Sequence, residues 1–439
     1  MLFAIGLVVY GLFAWNRLGH RSNAPQYVFQ ADAWLHGQLS IDPPLVDADW
    51  AKIETVALDD GSEVRGRRMT TRPAVFRTLD GEEIATTRIK QSRAVTWYMS
   101  FPPLPTLLML PSAAISGRDG NDVIPTLLVA ALILPLAFAL LRRLAEAKLS
   151  ERTPREDLWL VAALAFGSVL FFSAVGGRVW YTAQVVGVAL ALVYARASVE
   201  ARRPILAGIA LGAAALTRPP IAFMFPLFVL EAWRVSGGDR RAFGRTLGRF
   251  AAPVVAFAIA GMAYNYVRFD SPTEFGHTFL FVRQQTQIEQ WGLANYHYLA
   301  RNLAVAFTLL PELPGHAPWI RIGGHGLAMW VTTPLLLFVL WPRTKPAIHR
   351  TLWIAVACVA LPDFLYMNTG WVQFGYRFSL DFLPLLFALV AVGGRPLGRV
   401  GKALIAIGIV VNTFGAITFD RYAEYYRTEG SAYDVVVPD

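Results

Sequence analysis

The sequence predicts an all-α polytopic membrane protein, and three observations carry that class. Of its 439 residues, 55% are hydrophobic and only 16% charged, against roughly 25% charged in an ordinary soluble domain. Apolar runs recur from 127–141 to 403–419, several approaching the roughly 20 residues of helix that cross a hydrocarbon core. Lys and Arg gather between those runs, so the net charge of +9 reads as the positive-inside bias and not as a nucleic-acid surface. A soluble globular enzyme is excluded. The single cysteine, Cys358, lies inside an apolar run, which rules out an internal disulfide or a cysteine metal cage.

The chain opens on an apolar run, 1–15, with no basic residue before it and no small-residue cleavage site after it. This predicts a short, uncleaved first span, and its shortness is what a misplaced start codon would produce. The segment 17–100 follows, with 11 Lys/Arg and 11 Asp/Glu. A loop of that length translocates regardless of charge, so it is expected as an extracytoplasmic first loop. Within it, 27–39 predicts an amphipathic interfacial helix with Asp32 and His36 one turn apart. Asp60-Gly61 and Asp80-Gly81 sit between partly alternating stretches and predict hairpins, hence a small β-rich cap.

Four basic segments, 200–203, 234–249, 343–350 and 395–402, set the cytoplasmic side. The connections at 176–181, 270–325 and 368–376, and the tail after 420, then fall outside, with the N-terminus inside and the C-terminus outside. The segment 204–233 is expected as a helical hairpin turning at Thr217-Arg218-Pro219-Pro220. The proline-bearing segment 101–115 reads as a re-entrant or tilted half-helix if the basic stretch 142–155 is inside, or as a full span if it is not. The count is about 11 spans, within about 10 to 13, in one membrane domain covering 1–439. A bacterial cytoplasmic membrane is the expected location.

Arg178, Arg218, Arg268 and Arg377 come from four separate segments, and the topology brings all of them to the extracytoplasmic ends of helices, against the positive-inside bias. Arginine's planar fork matches phosphate oxygens two at a time and stays charged when partly desolvated. Together they predict a site for a phosphate-bearing ligand, such as the head group of a lipid carrier. The structural alternative is that each pairs with a carboxylate, as Asp381 would four residues after Arg377. Around Arg377, Trp371 and Tyr376 are candidates to stack on a sugar or isoprenoid, Gln373 is a polar contact, and Asp381 is an intramembrane carboxylate. Asp32, with His36 beside it, is the candidate base for an attacking hydroxyl. Asp47-Ala48-Asp49 has a metal-binding spacing, yet no metal or other cofactor is otherwise supported, and a glycine-rich phosphate loop is missing.

These residues give the chain a resemblance to the GT-C superfamily of membrane glycosyltransferases. It rests on the short first helix with its large outer loop, Ala31-Asp-Ala-Trp-Leu-His-Gly37, Tyr98-Met-Ser-Phe-Pro-Pro-Leu-Pro105, Ala215-Leu-Thr-Arg-Pro-Pro220, Arg268-Phe-Asp-Ser-Pro-Thr-Glu-Phe-Gly276 and the 370–384 segment. The resemblance implies an enzyme that takes a sugar from a polyprenyl-phosphate lipid and transfers it to a glycan, lipid or protein acceptor at the outer face of the membrane. It also implies a catalytic Asp or Glu in the first loop, where this chain has Asn23 and Ala24. That leaves the role to Asp32 first, to Asp42, Asp47 or Asp49, or to no residue in a non-catalytic carrier-binding relative. A transporter or flippase is the rival from another class, and it would spread polar residues through the bilayer depth.

Overall fold

In a computed structural model, residues 1–45, 49–282 and 284–427 are described. The chain opens with α1 (Leu2–Ala14) and α2 (Gln26–Leu35). Strands β1 (Trp50–Leu58), β2 (Glu63–Arg68), β3 (Val75–Thr78), β4 (Glu83–Ala85) and β5 (Ile89–Met99) follow. The helical body comprises α3 (Thr106–Ser116), α4 (Val123–Glu146), α5 (Pro154–Phe166), α6 (Leu170–Ala174), α7 (Val179–Ser198), α8 (Pro204–Ala215), α9 (Pro226–Ser236) and α10 (Arg240–Phe269). It is completed by α11 (Gln285–Trp291), α12 (Leu299–Phe307), α13 (Met329–Thr332), α14 (Ile348–Leu365), α15 (Leu383–Val392) and α16 (Gly398–Thr418).

Among the described residues, six helical stretches are long and apolar enough to cross a membrane: Leu2–Gly19, Val123–Glu146, Val179–Ala201, Arg240–Phe269, Ile348–Leu365 and Gly398–Thr418. They make the chain an integral membrane protein. The expected 11 or so spans are not reached by unbroken helices, because the other apolar runs are interrupted. Prolines and glycines supply the breaks: Gly167 between α5 and α6, Pro219 and Pro220 after α8, and Pro334 in the 3₁₀ stretch Pro334–Leu340. The shorter apolar helices α8 and α15 have 12 and 10 residues. At 1.5 Å per residue, each covers only about half of a bilayer core. The 11-residue α3, from the proline-bearing segment 101–115, is equally short and packs on α2.

The five strands form an antiparallel sheet in the order β4-β3-β2-β1-β5. Both Asp-Gly pairs turn hairpins, with Gly61 and Gly81 at φ 88° and 92°, a backbone region that glycine enters without steric penalty. Val56, Leu58, Phe76 and Ile84 fill the sheet's own core. A second cluster, Ala51, Ile53, Phe269 and Phe279, joins the sheet to the end of α10. Helix α2 differs from the expected surface-lying helix: seven of its ten residues are buried, Gln26 and Gln30 among them. It is wedged between α3 and the helical body, with Val179 donating to Ala24 O at 2.9 Å just ahead of it.

Candidate functional site

A cavity of about 1260 Å³ opens where the sheet meets the helical body. Its walls come from six places in the chain. The first loop and the residue after it contribute Asp49, Trp97 and Phe101, the start of α7 contributes Arg178 and Trp180, and the break after α8 contributes Arg218, Pro219 and Phe223. The segment after α10 adds His277 and Phe281, the end of α14 adds Asp363 and Tyr366, and the 368–378 stretch adds Trp371 and Arg377. Helix breaks make this possible, because a side chain at a helix end or in a turn points along the element and not only outward from it. The proline pair that stops α8 leaves Arg218 at such an end, and the 3₁₀ turn Arg377–Asp381 presents two charged groups before Pro384 restarts a helix.

The four arginines have four different surroundings. Arg218 is bound by Asp381, with Nε donating at 3.0 and 3.1 Å and Nη2 at 2.5 Å. Asp363 stands 3.7 Å away on the same guanidinium. Arg178 lines the cavity and is ion-paired with Asp420. Arg268 is buried away from the cavity; its Nη1 donates to Met99 O at 2.6 Å and its Nη2 to Asn265 Oδ1 at 3.0 Å, tying the end of β5 to α10. Arg377 is different again: among the described residues no carboxylate lies within 4.0 Å of it.

Arg377 is held from behind. Its Nε donates to Gly370 O at 3.1 Å and its backbone N–H to Gln373 Oε1 at 2.9 Å. Gln373, fully buried, donates in turn to His325 O at 2.9 Å and Thr369 O at 2.8 Å. Gln184 donates to Arg377 O at 3.1 Å. The guanidinium lies 5.6 Å from the Tyr181 ring centroid and 5.2 Å from that of Phe378, close enough for cation–π attraction. Gln373 therefore shapes the loop and is not part of the cavity wall. Tyr376 is also behind the wall, stacked on Phe364 at 6.0 Å. Trp371 does face the cavity, about one-third exposed.

The carboxylates separate in the same way. Asp32 is outside the cavity, its Oδ2 accepting from Arg118 Nε at 3.2 Å, with His36 Nδ1 3.6 Å from Oδ1. Asn23 is exposed and also outside it. Asp49 lines the cavity, and Trp180 Nε1 donates to its Oδ2 at 3.1 Å. Burial pushes the Asp49 carboxyl above the usual carboxylate range, while the Trp180 hydrogen bond and the charge of Arg377 pull it back. Asp47 lies outside the described residues, so the Asp47–Asp49 spacing has no structural counterpart. Among the described residues, no three His, Cys, Asp or Glu side chains gather as a metal-holding group. His277, opposite Phe101 at 6.4 Å between ring centroids, is pushed down to about 4 by burial and by the charges of Arg218 and Arg268, so it is neutral at pH 7.

Asp363 is the residue that sequence reasoning overlooked. It stands directly after Pro362 at the end of an apolar run, and the rule that singled out Asp381, a carboxylate within an apolar helix, would have found it.

No protein-family model and no curated protein matches the chain. Among solved structures it is similar to the apo crystal structure of an oligosaccharyltransferase from Archaeoglobus fulgidus, at 12% identity and a TM-score of 0.38, over 98% of this chain and 57% of that one. The chain thus spans little more than half the length of that protein.

Proposed function

We propose that the protein is an integral membrane glycosyltransferase that moves a sugar from a polyprenyl-phosphate carrier to an acceptor hydroxyl. The observation that carries this reading is the composition of the cavity: a guanidinium without a carboxylate partner among the described residues, Arg377, and a half-buried carboxylate, Asp49, share a wall that continues into the apolar Pro219, Pro220 and Phe223. Such a site suits a ligand with a phosphate head and a hydrocarbon tail. Arg377 takes the phosphate, with Arg178 next to it once Asp420 yields, while Arg218 is spent on Asp381. Asp49 takes the acceptor proton in place of Asp32, which is committed to Arg118. The acceptor oxygen attacks the anomeric carbon, the bond from that carbon to the phosphate oxygen breaks, and polyprenyl phosphate leaves with the electron pair. Arg377 stabilises the charge growing on that oxygen, and direct displacement inverts the anomeric centre. Trp371 and His277 then contact the sugar or acceptor.

The test is native mass spectrometry of protein released from lipid nanodiscs, combined with transfer of a radiolabelled sugar. Wild type is expected to retain a polyprenyl-phosphate lipid and Arg377→Ala to lose it. Asp49→Asn should keep the lipid while transfer falls by about 10²- to 10⁴-fold, the usual weight of a general base. A carrier retained equally by Arg377→Ala, or found in no preparation, would sink the reading. A lipid transporter is favoured by one feature, the helix breaks at Arg218 and Arg377. It predicts that Asp49→Asn leaves lipid movement between leaflets of proteoliposomes unchanged.

A further inference from the structure

The start of α10 breaks two local rules at once. Arg240 and Arg241 open the helix, where the backbone dipole already concentrates positive charge. Arg241, Arg245 and Arg249 follow at four-residue spacing, a ladder of like charges on one face that works against the helix. All four arginines are exposed, and among the described residues no carboxylate pairs with any of them. Three other arginines at this end of the bundle are paired: Arg142 with Asp157, Arg143 with Glu200, and Arg234 with Glu231 at 2.7 Å. The helix N-terminus itself is satisfied, since Asp239 Oδ1 accepts from Arg241 N at 2.8 Å and Ala242 N at 3.1 Å. The unbalanced feature is the side-chain stripe.

Its position says what balances it. The 30 residues of α10 reach about 45 Å, some 15 Å more than a hydrocarbon core, so about ten residues overhang it. The apolar, weakly buried part of α10 is its C-terminal two-thirds, so the overhang is the arginine-bearing start. Eighteen residues make about five whole turns. Arg241 therefore shares a face with Ile259, and Arg249 with Val267, which are 61% and 63% exposed. The basic stripe continues the lipid-facing apolar stripe into the head-group layer. We infer that Arg241, Arg245 and Arg249 dock the phosphate of an anionic phospholipid in the leaflet that α10 enters. Guanidinium forks take phosphate oxygens two at a time, and the arginine stems lie along the apolar face below. This holds whatever the large cavity binds.

The experiment uses the full chain in nanodiscs of phosphatidylcholine alone, or with phosphatidylglycerol added. Retained phosphatidylglycerol is read by native mass spectrometry and stability by thermal melting. Wild type is expected to retain phosphatidylglycerol and to melt higher when it is present. The shift should shrink as sodium chloride rises from about 0.05 to about 0.5 M. The triple variant Arg241→Gln, Arg245→Gln, Arg249→Gln should lose both retention and shift while melting at or above wild type in phosphatidylcholine alone. A control triple, Arg343→Gln, Lys345→Gln, Arg350→Gln, should behave as wild type. The inference is overturned if wild type shows no preference, if the preference ignores salt, if the first triple keeps it, or if the control loses it equally.

Discussion

Arg218 and Arg377 are the same residue type 159 positions apart on one cavity wall, and their partners give them opposite chemistry. Arg218 is bound by two oxygens of Asp381, so its charge is already answered. Breaking such a pair leaves an unanswered charge in a low-dielectric place, which costs about 3–5 kcal/mol. Arg218→Met should therefore lower the melting temperature sharply, because it leaves Asp381 and Asp363 without their shared partner, and Arg218→Met combined with Asp381→Leu should regain part of the loss, since it removes one of the two stranded carboxylates. Full additivity of the two single losses would argue against the pair. His277 offers a second check at this scale. Its folded value of about 4 lies below the ordinary 6.5, so between those pH values the unfolded chain binds the proton and the folded chain does not. This contribution to stability is complete above pH 6.5 and falls as pH drops toward 4. The melting temperature of wild type relative to His277→Phe should be constant above pH 6.5 and fall below it.

At the scale of elements, the sheet is held over the cavity by a few specific links. Phe281 N donates to Trp50 O at 3.0 Å, which keeps the His277-bearing segment beside the start of β1. Glu289, in α11, accepts from Thr70 N at 2.9 Å, Thr71 N at 2.8 Å and Arg67 Nη1 at 2.6 Å. Burial opposes its ionised form, but hydrogen bonds from Thr71, Thr70 and Arg67 prevail and hold it at about 2, below the ordinary 4.5. A depressed carboxylate stabilises above its unfolded value and loses that contribution as pH falls through its folded one. The stability difference between wild type and Glu289→Gln should be constant above about pH 4.5 and shrink toward pH 2. A difference that grows on acidification would contradict the clasp.

On the scale of the molecule, α10 is the longest helix among the described residues and only 11% of its most apolar stretch is buried inside the protein, so its contacts are chiefly with lipid. One uninterrupted crossing puts its two ends on opposite sides of the membrane. In a Cys358→Ala background, Arg241→Cys and Ser271→Cys should react with a membrane-impermeant maleimide from opposite faces of sealed vesicles. Labelling of both from one face would mean that α10 does not cross.

The sequence by itself determined the membrane class, the Asp-Gly hairpins, the break at Thr217–Pro220 and the pool of polar residues from which the cavity is built. Those features are local: hydropathy, turn chemistry and proline act within a few residues, and composition reports them directly. Asp49 and Arg377 were both in that pool, as an alternative base and as one of four arginines. Only the tertiary structure decided that Asp381 answers Arg218 and not Arg377 four residues before it, that Asp32 is spent on Arg118, and that α2 is buried. Six unbroken helices are long and apolar enough to cross among the described residues, because apolar runs reveal hydrophobicity but not whether the helix through them is continuous. Pairing of charges depends on which segments meet, and segments from six parts of the chain meet at this cavity through packing that no local pattern records.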